Sequence, residues 1–273
     1  MGSRRGRGVM LELDGIRRLF HNSFTPAMRD GAFVSIGGAD DCYWSITNFP
    51  SASSNELSIY NGSSQVLEAA LTKFYDPDLA HRVFLGGAGL VHAQTLLTKG
   101  YVNTDVVPLM VLALDVQMNP HELNTGLTIT RVKTKSELAL CQALMIDAFN
   151  ASPEFTRSST ENTLGSAHSF RYLLFDQGLP VSTAHFIQSG KFLGCFEVVT
   201  ATSQQGEGHG EQLMRWAIAT HAALGQELLV LQSSTAGEAL YRGLGFQILE
   251  YAQCWVMEDV SRMREFTHGE LAG

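Results

Sequence analysis

The spacing of apolar residues switches between two periods along this chain, and the switches mark out strands and helices. Residues 32–36, Cys42–Thr47, Arg82–Leu85 and 106–114 are runs of strand length. The first two flank Gly37-Gly38-Ala39-Asp40-Asp41, where glycine and aspartate predict a reversal. Between the next pair, residues 64–74 place Val66, Leu67, Ala70, Leu71 and Phe74 on one helical face, and residues 90–98 form a second helix ended by Gly100. Pro108 cannot donate to a ladder, so the strand over 106–114 is expected at an edge or a bulge. Residues 51–55 read as a polar loop, and 118–126, with Pro120, Asn124 and Gly126, as a linker.

A second series starts at Leu127. Residues 128–132 predict a strand, and Ser136 with Ala139, Leu140, Ala143, Leu144 and Ala148 a helix. Three strands follow at 170–175, 181–187 and Phe192–Thr200, separated by Gln177-Gly178 and Ser189-Gly190. Then come a helix at 211–224, a strand at 228–231, a helix opened by a Thr235-to-Glu238 capping box and ended at Gly243, and a last strand at 248–257. This alternation argues an α/β layer structure. The halves also share a faint repeat. Leu97-Thr98-Lys99-Gly100-Tyr101 parallels Arg242-Gly243-Leu244-Gly245-Phe246, and Gly100 precedes Val111 by the same interval as Gly245 precedes Val256.

Composition narrows the classes. With 273 residues, the chain is long enough for two domains. Charged residues make up 17%, below the usual roughly 25%, which excludes a self-repelling disordered chain. The net charge of −8 and the lack of a basic stripe argue against nucleic acid. The longest apolar run, 106–114, is short of the roughly 18 residues a membrane span needs. Cys42, Cys141, Cys195 and Cys254 are scattered, with neither zinc-ligand nor disulfide-framework spacing, so no metal is expected. Residues 1–8 carry three arginines but no apolar segment follows, so a cytoplasmic location is expected.

The candidate chemistry lies between Phe192 and Phe246. Gln205-Gly206-Glu207-Gly208-His209-Gly210 follows a predicted strand and opens a predicted helix. Glycines there expose backbone N–H groups at a helix N-terminus, which favours phosphate. The spacing does not fit a dinucleotide-binding fingerprint.

With its neighbours, this segment resembles the GCN5-related N-acetyltransferases, the GNAT superfamily. That family's Arg/Gln-x-x-Gly-x-Gly/Ala signature matches Gln205, Gly208 and Gly210. Its later Ala-x-x-Tyr and Gly-Phe elements match the stretch running through Glu238-Ala239-Leu240-Tyr241 to Gly245-Phe246. The resemblance covers about residues 127–257. The first half resembles the degenerate half of tandem GNAT proteins, since Asn61-Gly62-Ser63-Ser64 has no Gly-x-Gly. The expected fold is thus α/β, with two tandem GNAT-like domains (1–126 without a CoA loop, 127–273 the acetyltransferase domain), each a mixed twisted sheet flanked by helices.

The resemblance implies acetyl-CoA as co-substrate and a small amine or amino-acid-like acceptor, with no membrane partner and room for a homodimer. Acetyl-CoA would lie where strands 192–200 and 228–231 splay. Backbone groups of Val198, Val199 and Thr200 would hold the pantetheine arm, and amides of Gln205, Gly206, Glu207, Gly208, His209 and Gly210 the pyrophosphate. Tyr241 would protonate the departing thiolate. Glu197, a carboxylate interrupting an apolar strand, is the candidate base, directly or through water; His185 and His168 are weaker ones. The loop departs from the family in lacking basic residues and in carrying Thr202 where proline is common. A non-catalytic acyl-CoA sensor or scaffold is the alternative.

Overall fold

The computed structural model describes residues 12–28, 33–47, 49, 51–72, 79–116 and 121–257. Apolar residues at helical spacing in the N-terminal segment (Ile16, Phe20, Phe24 and Met28) bury one side of a helix that the sequence reading did not anticipate. It runs as α1 (Leu13–Leu19), a π-helical turn (Phe20–Phe24) and α2 (Thr25–Met28). The first half continues with β1 (Phe33–Ala39), β2 (Cys42–Thr47), β3 (Glu56–Ile59), α3 (Ser64–Leu71), β4 (Arg82–Leu85), α4 (Ala93–Thr98) and β5 (Tyr101–Ala113). The second half contributes β6 (Leu127–Arg131), α5 (Lys135–Phe149), α6 (Pro153–Glu161), β7 (Ser169–Asp176), β8 (Leu179–Ser189), β9 (Phe192–Thr200), α7 (His209–Ala223), β10 (Leu228–Gln232), α8 (Glu238–Gly243) and β11 (Gln247–Met257).

Among the described residues, the strands join one eleven-stranded sheet in the order β1-β2-β3-β4-β11-β5-β10-β9-β8-β7-β6. Two pairs, β3/β4 and β9/β10, are parallel, and they occupy equivalent places in the two halves. The final strands are exchanged. β5 lies against β10 of the second half, and β11 lies against β4 of the first. β5 and β11 pair antiparallel from Tyr101↔Met257 to Val111↔Gln247. The faint sequence repeat is therefore visible as symmetry: Gly100 (φ 88°) and Gly245 (φ 94°) take the same left-handed conformation just ahead of the two strands.

Alternate residues of the central strands face different helices. Met110, Leu112, Leu193, Leu229 and Leu231 pack under α7 and α8. Leu109, Val111, Ile187 and Val230 point the other way, onto Phe20 and Phe24. Beside them, Leu173 and Val199 meet Leu138, Cys141 and Met145 of α5. In the first half, Leu67, Ala70 and Leu96 of α3 and α4 cover Leu57, Ile59, Val83 and Leu85.

Several local expectations are corrected. The first reversal is only Asp40-Asp41, both at positive φ. Gly37 and Gly38 lie within β1, where a Cβ would come within 2.5 and 2.6 Å of the Trp44 and Tyr43 rings. β5 is a central strand that runs through Pro108. The carbonyl of Pro108 accepts from Ser233 N (3.0 Å) just past the end of β10, so the missing N–H falls where that ladder ends, and on the other side the expected bulge is present in β11, between Ile248 and Glu250. No capping box forms at Thr235, whose hydroxyl donates to Asp105 instead, and α8 starts after Gly237. The Thr134/Glu137 capping box of α5 and the Ser152 cap with Pro153 of α6 were not anticipated. Of the expected helix at 64–74, residues 73 and 74 lie outside the described residues, as does part of the expected linker.

The exchange predicts how the protein responds to cutting. With a protease site inserted after Asn124, the cleaved fragments should co-elute in gel filtration without denaturant, held by β5/β10, β11/β4 and β5/β11. Separate elution of two folded fragments would show that these ladders do not bind the halves together.

Candidate functional site

The second half contains a split between its parallel strands. β9 and β10 pair only from Leu228↔Phe192 to Val230↔Gly194, although β9 continues to Thr200. The cause is a bulge. Between Thr183↔Val199 and His185↔Phe196, two residues of β9, Glu197 and Val198, oppose Ala184 alone. Glu197 sits at φ 51°, in the left-handed region, which a non-glycine residue occupies at a cost. A bulge bends its strand and re-aims the side chains beside it. β9 thus follows β8, β10 follows β5, and a cleft opens beyond Gly194.

The loop at the end of β9 leads into α7. Gly206 (φ 84°) and Gly208 (φ 79°) are both left-handed, a conformation natural to glycine. Gly208 caps α7 without a side-chain hydrogen bond, so the first backbone N–H groups of that helix keep no side-chain acceptor. A Cβ at Gly210 would stand 3.3 Å from Thr200 Oγ1, so the helix start is seated close against β9. Gln205, Gly206 and Glu207 are exposed. His209 is buried: its Nε2 lies 3.5 Å from Asp176 Oδ2, and its Nδ1 has no partner among the described residues. Val199 is held in the sheet through its carbonyl, which accepts from Ser182 Oγ at 2.7 Å.

Tyr241 projects from α8 into the core under the same strands, with its ring against Phe246. Gly237 makes room for it, since a Cβ there would meet Tyr241 Cε2 at 3.1 Å. Burial raises its phenol pKa far above the ordinary tyrosine value, so the hydroxyl keeps its proton at neutral pH.

Glu197 has a partner that the sequence did not suggest. Arg171 on β7 donates through Nη2 to Glu197 Oε2 (2.5 Å) and to His185 Nδ1 (2.9 Å). Because Nδ1 accepts, Nε2 carries the ring proton and donates to Ser169 Oγ at 2.8 Å. Burial works against a charge on Glu197, but the adjacent Arg171 guanidinium outweighs it and holds its pKa down to about 2. Burial, then Arg171, lower His185 to about 4, so the imidazole is neutral. His168 is exposed at the start of β7, level with the paired base of the split rather than its open end. Arg171 itself was missed. Its only signal was a cation inside the apolar run of β7.

The first half has no such opening. β3 and β4 pair over their whole lengths, and Gly86 N continues the ladder to Ile59 O at 3.1 Å. Gly89 is packed onto that carbonyl, where a Cβ would come within 2.1 Å of the oxygen. His92 Nε2 closes the turn onto Asn61 O at 2.9 Å. Among the described residues, no cluster of His, Cys, Asp and Glu could hold a metal ion, and no helix is long and apolar enough to cross a membrane.

No protein-family profile matches the chain, and no curated protein matches it. Solved structures do. A GCN5-related N-acetyltransferase from Kribbella flavida superposes over 89% of this chain and 95% of its own, with a TM-score of 0.65 at 20% identity. One from Sphaerobacter thermophilus covers 79% of this chain and 76% of its own, with a TM-score of 0.60 at 14% identity. A tandem GNAT protein from the clavulanic acid biosynthesis pathway covers 79% and 77%, with a TM-score of 0.53 at 11% identity. The split parallel strands, the glycine loop ahead of α7 and these superpositions agree: the chain has the α/β fold of the GCN5-related N-acetyltransferases.

Proposed function

We propose that the chain is an acetyl-CoA-dependent N-acetyltransferase that transfers directly to a small amine or amino-acid-like acceptor. The observation that carries this reading is the bulge-opened cleft between β9 and β10, which leads to the uncapped N-terminus of α7. A parallel pair with no function to serve would keep its ladder closed, as β3 and β4 do.

In this reading, backbone groups of Val198–Thr200 hold the pantetheine arm, and the N–H groups from Gln205 to Gly210 receive the pyrophosphate. The loop carries no lysine or arginine, so these amides and the helix dipole supply most of the attraction. The acceptor nitrogen attacks the thioester carbonyl, the C–S bond breaks, and the thiolate takes a proton. Tyr241 supplies that proton and is reprotonated from the water that carries the amine's proton away, which its raised pKa favours. Glu197 is too weak a base to strip an ammonium directly. It attracts and orients the acceptor's amine, and the proton leaves through water. The closed first half walls and supports the cleft. The buried thiols of Cys141 and Cys195 suit a reducing, cytoplasmic compartment.

Three outcomes test this reading. Calorimetry with acetyl-CoA should give one site per chain, and Gly208→Asp should abolish binding by placing a carboxylate where the phosphate sits; two sites, or none, would refute it. Tyr241→Phe keeps the ring and removes the proton, so turnover should fall by about 10²- to 10⁴-fold with acetyl-CoA affinity unchanged. Unchanged turnover would return Tyr241 to the role of a packing residue. For Glu197, the pH profile decides. A carboxylate of pKa about 2 is already ionised throughout pH 5–9, so Glu197→Gln should lower kcat/KM without moving the acid limb of its profile. A limb that shifts or vanishes in the variant would make Glu197 the titrating base.

A further inference from the structure

On the α5 side of the sheet, the start of α5, the α6–β7 connection and strands β6 and β7 line a cavity of about 260 Å³ that is open to solvent. It has room for an amino-acid-sized molecule rather than a lone ion. Its lining includes Arg131, Lys133 and Arg171 and no acidic residue. Arg131 and Lys133 are exposed at the surface, whereas the Arg171 side chain is 3% exposed.

The hydrogen bonds of Arg171 leave a donor over. Nη2 serves Glu197 and His185, and Nη1 lies against Met145 Sδ (3.7 Å), but the buried Nε has no partner among the described residues. A hydrogen bond left unmade is costly for a buried charged group, so the position calls for an acceptor. Ser169 also lines the cavity. Its oxygen accepts from His185 Nε2, which leaves the hydroxyl hydrogen free to donate. Arg171 Nε, just beneath the wall, and the free hydroxyl hydrogen of Ser169 are thus two donors at a cavity whose lining holds no carboxylate.

We propose that this cavity binds the carboxylate of a small acid, with Arg171 and Ser169 as its donors. Resting on the transferase reading above, the acid is the acyl acceptor, an amino acid rather than a simple amine. Arg171 then serves both ends of the acceptor: it takes the carboxylate on one side and holds Glu197, which faces the amine, on the other.

The test is calorimetric titration of the full chain, without acetyl-CoA, using a panel of L-α-amino acids, each against its own α-amide. At least one acid should bind about tenfold or more tightly than its amide, the ratio expected for a charge-assisted hydrogen bond. Ala167→Trp, a substitution at an exposed residue of the lining, should block the cavity and abolish this binding while melting temperature and acetyl-CoA affinity stay unchanged. Arg171→Lys keeps a cation against Glu197 but removes Nε, and should weaken the acid about tenfold. The inference is overturned if no acid binds, if acids and amides bind alike, or if Ala167→Trp leaves binding intact. Acetyl-CoA binding measured on the same samples separates the two claims. Acids that bind a chain without affinity for acetyl-CoA would sink the transferase reading and spare the cavity; the reverse result would sink the cavity alone.

Discussion

The pairing of β5 with β11 is the constraint on which the rest of the structure depends. These long strands are separated by more than a hundred residues of sequence, yet they form a long antiparallel ladder, shifted in register at two points, at the centre of the sheet. Each also closes the sheet of the opposite half, so neither half has a complete set of strands from its own sequence. A buried ion pair reinforces the closure. Arg17 of α1 grips Glu250 of β11 through Nε (2.6 Å) and Nη2 (2.5 Å), and its guanidinium lies over the Tyr60 ring. Removing one partner of such a pair leaves a buried charge and costs about 3–5 kcal/mol. Contacts this distant in sequence form late and slowly, because chain entropy is lost before they repay it.

The same exchange shapes the cleft. β10 keeps a full partner in β5 from Leu228↔Ala113 to Gln232↔Leu109, and the ladder is extended by Leu114 N to Glu227 O and Ser233 N to Pro108 O. β10 therefore does not need β9 beyond Val230, and β9 is free to bulge toward β8. The N-terminal helix supports the base of the split. Phe24 packs where Gly194 leaves no side chain, since a Cβ there would come within 2.6 Å of the Phe24 and Phe196 rings. Residues of the first half therefore stabilise the geometry that the second half uses.

Much of this was legible in the sequence, and the failures share a cause. β9 was read at its observed limits, and the glycine loop and the Tyr241 helix were placed in order, because short-range spacing determines such elements. Pro108 was expected at an edge or bulge because its missing donor is a local property; that the β10 ladder ends at it and β11 bulges beside it in mid-sheet is a tertiary fact. Gly37 and Gly38 looked like turn residues, but they are small because cross-strand rings lie over them. Strand exchange leaves no local signature at all, since each strand has the same pattern whichever sheet it completes. Arg171 was invisible for a similar reason. A lone arginine in an apolar strand acquires meaning only when β8 and β9 bring His185 and Glu197 against it.

The two parallel pairs show what separates a closed half of the sheet from an open one. Both lie beside an exchanged strand and both lead into a helix. In the first half, Gly86 and Gly89 fold the chain back onto Ile59 and seal the end of the ladder, so its backbone groups are satisfied internally. In the second, left-handed Glu197 and the bulge leave the end of β9 without a partner on its β10 side, and the Arg171 ion pair offsets the cost of holding that carboxylate in a strained, nearly buried position. Strain persists only where the surroundings over-determine it. Here the surroundings are Arg171, His185 and Ser169 on one side and the seating of α7 on Thr200 on the other. The open cleft is thus the part of the sheet in which backbone hydrogen bonding has been given up, and ligand groups are what can complete it.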